Sequence, residues 1–204
     1  AAPSIIRISD DGETLIAADT PFVRFDTVSV AFPAGAFLQP SLAGEKALTQ
    51  LVTAGVGEAS TVLDAFCGLG TFALPLSRHG AVTAIDQNGP AMDALDEAAR
   101  TLTGRRPITT KRRDLMRDPL SPAELNAFDG VVFDPPRAGA KAFAAALAAS
   151  KVPQVVAVSC EPKTLARDCA TLVAGGYKIA HVVPVDQFVA TSHLETVVVL
   201  RRDP

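Results

Sequence analysis

From Thr61 to Leu200 the chain alternates between two hydrophobic periods, and that alternation decides what it can fold into. Short β-branched runs bounded by Gly, Pro or Asp read as strands at Thr61–Ala65, Val82–Asp86, Ile108–Thr110 and Gly130–Asp134, then at Val155–Ser159, Lys178–Val185 and Leu194–Leu200. Helical patterns over Thr71–Arg78, Ala91–Leu102, Lys141–Ala149 and Pro162–Ala174 fall between them. A strand that returns to the same sheet through a helix returns parallel, so a doubly wound, mostly parallel sheet of seven strands follows. The last two strands have no helix between them, which predicts a terminal antiparallel strand. A further helical pattern runs from Ser41 to about Ala54, with Leu42, Ala47, Leu48 and Leu51 on one face. Residues 1–35 read as short strands and turns: Ile5–Ile8, the turn Asp10-Asp11-Gly12, Thr14–Ala17 and Val28–Ala31. They are expected to be the tail of a preceding β-rich region, and residues 36–204 the main domain.

Composition excludes several classes. At 204 residues, 48 % of them hydrophobic, the chain can bury a full core. No apolar run approaches the roughly 18 residues of a membrane span, and no secretory leader is visible. Three cysteines form no paired framework, so a reduced, cytoplasmic setting without a membrane partner is expected. There is neither a CxxC pair nor a His-rich cluster, so no metal site is expected. The net charge of −3 does not mark a polyanion binder, although Arg105, Arg106, Lys111, Arg112, Arg113 and Arg117 crowd one short segment.

In open α/β sheets ligands bind beyond the carboxyl ends of the strands, and this chain concentrates reactive residue types there. Val62-Leu-Asp-Ala-Phe-Cys-Gly68-Leu-Gly70-Thr71 is strand, glycine loop, helix, a form that lets backbone approach a ligand. Asp86 closes the next strand, where an acid can hold the two ribose hydroxyls of an adenosine. Gly68-x-Gly70-x-x-Ala73 also fits a relaxed dinucleotide fingerprint, so the glycines alone leave NAD and S-adenosylmethionine both open. The Asp64-x-x-Cys-Gly form of the loop and the acidic Arg113-Asp114-Leu115, with Asp114 facing adenine, favour the second. Asp134-Pro-Pro-Arg137 fixes a carboxylate at the end of the fourth strand, and its Arg137 stands where methylases of exocyclic amines carry an aromatic. Ser159-Cys160-Glu161-Pro162 sets one thiol between a buried strand and a helix start, where unpaired N–H groups favour thiolate. Cys67 and Cys169 read instead as loop shape and helix packing. Glu195 opens the final, strongly apolar strand.

Taken together these elements resemble the RNA uracil-5-methyltransferase family. The resemblance rests on Phe37-Leu-Gln39, Asp64-Ala-Phe-Cys-Gly-Leu-Gly-Thr-Phe72, Asp134-Pro-Pro-Arg137, Ser159-Cys-Glu-Pro-Lys-Thr-Leu-Ala-Arg-Asp168 and Asp186-Gln-Phe188 with His193-Leu-Glu195, in family order. It implies a class I, Rossmann-like methyltransferase domain that methylates carbon-5 of a uridine in RNA. It implies Cys160 as nucleophile and Glu195 as base, with Gln39, Phe66, Gly68, Gly70, Thr71, Asp86, Asp114 and Asp134 around S-adenosylmethionine. Phe37, Asp134 and Arg137 would meet the target base. The family usually has Asn at positions 41, 71 and 161 and Glu at position 86, where this chain has Ser41, Thr71, Glu161 and Asp86. Full-length members carry an amino-terminal RNA-binding barrel and many an iron–sulfur cluster, both expected outside this chain. A monomer acting on ribosomal RNA, ahead of transfer RNA, is expected. An NAD-linked oxidoreductase would explain the glycine loop but not Cys160 or Asp134-Pro-Pro; a non-catalytic RNA-binding remnant would explain the missing module and would be supported by loss of Cys160 or Glu195, but both are present.

Overall fold

The computed structural model describes residues 7–10, 13–188, 191 and 193–203. Its centre is a sheet formed by β5 (Thr61–Ala65), β6 (Ala81–Asp86), β7 (Ile108–Arg112), β8 (Gly130–Phe133), β9 (Gln154–Ser159), β10 (Lys178–Val185) and β11 (Glu195–Arg201). Their spatial order is β10-β11-β9-β8-β5-β6-β7. β5 pairs in parallel with β6 and β8, and β6–β7 and β8–β9 are parallel as well. β11 runs antiparallel to both of its neighbours, inserted between β9 and β10. The expected sheet is therefore present, with its one reversed strand inside rather than at the edge.

Both faces are covered, and the period of two along each strand says which residue goes where. Val156, Val158, Val197 and Val199 join one core with Leu48, Val52, Val56, Leu74 and Leu95 of the helices α1 (Leu42–Val56), α2 (Ala73–Leu76) and α3 (Gly89–Arg100). Val155, Ala157, Val198 and Leu200 join the other, with Phe143, Leu147, Leu165 and Leu172 of α5 (Lys141–Ala148) and α6 (Pro162–Ala174). Gly55 brings α1 close to the sheet, since a Cβ there would stand 2.9 Å from Val156 and Val199 side-chain carbons. Arg202 follows β11, donates to the carbonyls of Ala148 and Gly175, and lies over the Tyr177 ring, tying the strand to the ends of α5 and α6.

Four details depart from the sequence reading. The helix expected over Thr71–Arg78 contracts to α2, because Pro75 lacks an N–H and tight turns at 77–80 redirect the chain into β6. The inner face of α1 carries Gly44, Leu48, Val52, Gly55 and Val56, leaving Leu42 81 % exposed and Ala47 and Leu51 only partly covered. A short helix α4 (Pro122–Leu125) was not expected, although Ser121-Pro-Ala-Glu124 is a capping box and closes as one. Among residues 1–35, β1 (Arg7–Asp10) pairs with β2 (Glu13–Ala17), and β4 (Val28–Ala31) pairs with an unexpected β3 (Phe22–Phe25) across Asp26-Thr27. Asp26 takes φ 55° there, which Asp tolerates, and Arg78 and Arg105 pair with its carboxylate. Residues 5–6 of the first expected strand, and 11–12 of the expected turn, lie outside the described residues.

Candidate active site

The carboxyl ends of β5, β6, β8 and β9 open into a cavity of about 460 Å3, within the ~300–1,000 Å3 usual for small-molecule sites. Two sets of predicted residues meet in it. Gln39, Phe66, Gly68, Thr71, Asp86 and Asp114 line one part. Phe37, Asp134, Arg137, Cys160 and Glu195 line the other. Gly70 is not among the residues that line the cavity. Its φ is 88°, and a Cβ would come 2.5 Å from the Leu95 side chain, so glycine is required there for packing against α3.

Backbone amides build the first part. After β5 the chain turns at Phe66, which holds φ 63°, a conformation that costs a non-glycine residue energy and collects at functional sites. The Phe66 ring packs edge-on to Phe143 at 6.0 Å, which fixes the turn. The Gly68 N–H then donates to Asp86 Oδ2 at 3.0 Å and the Asn88 N–H to Oδ1 at 2.8 Å. Asp86 is thus aimed by the loop beside it, and each of its oxygens keeps a lone pair for a ligand hydroxyl. Asp114 lines the cavity while accepting from the Met116 and Arg117 amides.

Charge without partners marks the second part. Burial and the neighbouring Glu195 push the Asp134 carboxyl up to about 8. Glu195 is only 3 % exposed, and burial raises it too, against the pull of a hydrogen bond from Gln187. Asp64, fully buried behind them, finds no donor at hydrogen-bond geometry, and desolvation with the charge of Asp134 drives it well above the carboxylate range. Cys160 sits between these groups. The sequence expectation of a thiol biased toward thiolate is corrected: burial, Glu195 and Asp134 together raise it, and Arg137 opposes them only in part. The helix start is overridden first by burial, and its free amides are already engaged in part by Glu161, the N-cap of α6, whose carboxylate accepts from the Lys163 amide.

Residues outside the predicted set hold the second part in shape. Thr164 Oγ1 donates to the Arg137 carbonyl at 3.1 Å, Arg167 to the Ala138 carbonyl, and Asp168 accepts from the Ala140 amide at 2.7 Å. The α6 motif therefore grips the loop after Asp134-Pro-Pro. Gln187, nine-tenths buried, bridges Gln39 and Glu195. The departures at 41 and 161 are both helix caps, Ser41 accepting from the Gly44 amide and Glu161 from the Lys163 amide. Half of the basic segment is in ion pairs, Arg105 with Asp26, Arg113 with Glu124 and Asp118, and the exposed Arg117 with Asp114, while Arg106, Lys111 and Arg112 stand exposed. No described helix is long and apolar enough to cross a membrane.

A seven-stranded doubly wound sheet with one reversed strand, opening to a ligand cavity at its carboxyl ends, defines a class I, Rossmann-like methyltransferase fold. Residues 107–203 match the family model described as tRNA (uracil-5-)-methyltransferase. Residues 107–203 thus carry a methyltransferase domain similar to that of the RNA uracil-5-methyltransferases. An uncharacterized RNA methyltransferase of Brucella suis is 47 % identical over 196 residues, 96 % of this chain and 47 % of that protein. The 23S rRNA (uracil(1939)-C(5))-methyltransferase RlmD of Chromohalobacter salexigens is 37 % identical over 194 residues, 93 % of this chain and 38 % of that one. Among solved structures, the Pyrococcus abyssi tRNA (uracil-54, C5)-methyltransferase in complex with S-adenosyl-L-homocysteine superposes with a TM-score of 0.77 at 29 % identity, over 91 % of this chain and 45 % of its own. The chain spans about half the length or less of these relatives.

Proposed function

We propose that this chain is the catalytic domain of an enzyme that methylates carbon-5 of a uridine in RNA, with S-adenosylmethionine as methyl donor and a covalent adduct at Cys160. The observation that carries this reading is the meeting of one half-buried thiol with two carboxyls that no cation neutralises, Asp134 and Glu195, on the wall of one cavity. The cavity suits that donor on two grounds. Asp86 presents free lone pairs at the end of β6, and the Asp64, Asp134 and Glu195 carboxyls lack a cation that an ammonium and a sulfonium would provide. S-Adenosylmethionine, when bound, supplies a methyl group on a positively charged sulfur.

The residues divide the chemistry as follows. Carbon-5 of uracil is a weak nucleophile, so the Cys160 thiolate adds to carbon-6 and the ring becomes an enolate whose carbon-5 accepts the methyl group. Glu195 then takes the proton from carbon-5; the C–H electron pair forms the 5,6 double bond and expels the thiolate. Arg137 stands beside the thiol and offsets the carboxylates that oppose its ionisation. Phe37, 72 % exposed at the rim, offers a face for the unstacked base that such a reaction requires.

Ribosomal RNA is the proposed target. A relative named for 23S rRNA at 37 % identity supports it over transfer RNA, the substrate in the name of the structural neighbour at 29 %. RNA-specific recognition is proposed to need an amino-terminal region outside this chain, because the net charge is −3 and two of the segment's arginines, Arg105 and Arg113, are engaged by Asp26 and Glu124. Mapping 5-methyluridine in ribosomal and transfer RNA from cells lacking the gene tests the target. A single missing mark in ribosomal RNA is expected; a mark missing from transfer RNA instead would reassign the substrate, and no missing mark would overturn the reaction. Comparing this chain with the full-length protein at one salt concentration tests the second point, with kcat/KM expected to be far lower for the chain alone.

A further inference from the structure

Glu195 has one hydrogen-bond donor among the described side chains, and the way that donor is held is unusual. Gln187 Nε2 lies 3.1 Å from Glu195 Oε2 and 2.7 Å from Gln39 Oε1. Both partners offer oxygen, so the amide must turn its nitrogen to them and its own oxygen away. That oxygen is buried and meets no donor. It points at Gly44, where a Cβ would stand 2.1 Å from it and 2.9 Å from the Gln187 Cβ. Any side chain at position 44 would therefore displace Gln187, and the fold keeps a bare backbone on α1 to make room. A buried acceptor without a partner is unfavourable. The fold retains it where both protons of the amide are committed, one of them to the carboxylate that opens β11.

We propose that Gln187 positions Glu195 as the base, holding its carboxylate charged and aimed at carbon-5 through a bridge anchored on Gln39. This deepens, and rests on, the reading of Glu195 as the group that resolves the covalent adduct. Burial shifts Glu195 toward the protonated form, which takes no proton from carbon-5; the Gln187 N–H opposes that shift and favours the charged form that abstraction needs. The bridge also fixes one of the two Glu195 oxygens, which leaves the other to face the cavity. Gln39 lines the cavity, so the same bridge links the cofactor end of the site to the base.

The test uses the full-length protein in single-turnover reactions that separate methyl transfer from adduct release, with Q187M as the variant that keeps volume and removes the donor. Methyl transfer at near the wild-type rate is expected, with release slowed about 10- to 100-fold, the scale of one hydrogen bond to a charged group. The acid limb of the release rate should also move to higher pH, which a merely structural role would not produce. Should Q187M fail to fold, Q187N shortens the reach by one methylene and is expected to show the same split. Equal slowing of transfer and release, or release with an unmoved acid limb, overturns the proposal. E195Q in the same assay separates the two ideas: if it releases normally, the base assignment itself is wrong, whereas stalled E195Q beside normal Q187M refutes only the role of Gln187.

Discussion

The two parts of the cavity are built on opposite principles. At Asp86 both carboxylate oxygens are engaged, by the Gly68 and Asn88 amides, beside the strained Phe66 turn. Around Cys160 stand two carboxyls, Asp134 and Glu195, with Gln187 donating to the second, and burial drives both toward their protonated forms. The first is preorganised for a ligand it will hold. The second carries an electrostatic imbalance that a cationic ligand would relieve, so binding and chemistry are coupled through charge.

Substitutions should separate the parts by which quantity they change, and the largest effects belong to the chemistry. Cys160→Ala should abolish both adduct and turnover in the full-length enzyme. Glu195→Gln should instead accumulate a methylated protein–RNA complex visible on denaturing gels, with turnover down by about 10²–10⁴. Adduct in the first variant, or free turnover in the second, would break the division of roles. Asp86→Ala should leave the thiol's chemistry alone and weaken S-adenosylhomocysteine binding by about 1.5–3 kcal/mol in calorimetry, the worth of charge-assisted hydrogen bonds.

Asp134 sharpens the contrast through pH. Its folded value, about 8, lies above the 3.8 of an unperturbed Asp, so the folded state holds the proton more tightly. The stability this contributes is whole below about pH 3.8 and is lost as pH rises through 8. Asp134→Asn should therefore melt higher than wild type above pH 8, by roughly 1–3 kcal/mol, less than the full linkage because the carboxyl reaches solvent through the cavity. The gap should close toward acid, and a gap independent of pH would refute the raised carboxyl. The smallest effect expected is that of Thr164→Val, which frees the Arg137 carbonyl: about 0.5–1.5 kcal/mol in thermal unfolding, with S-adenosylhomocysteine affinity unchanged.

Much of this was legible in sequence because strand ends are easy to read. A β-branched run closing on Asp86, Asp134 or Cys160 announces both the strand and what stands at its mouth, and all three meet in the cavity. What stayed hidden came from groups brought together over long separations. Gln187 sits 148 positions from Gln39, and neither is informative without the other. The upward push on Cys160 was missed for the same reason: a helix start is visible locally, while Glu195 arrives from a distant strand. The spacing of a glycine loop likewise does not reveal that Gly70 packs toward Leu95. The capping box before α4 was readable and overlooked.

The reversed strand has a consequence for synthesis. β11 is the last of the strands in chain order, yet it lies between β9 and β10 and carries Glu195 at its start. During translation β9 would have β8 on one side and an open edge on the other until residues 195–201 clear the ribosome. Glu195 would thus reach Cys160 in the same event that closes the sheet, so a nascent chain would hold Cys160, the Gly68 loop and Asp134 in place well before it gained the carboxylate proposed to release the adduct.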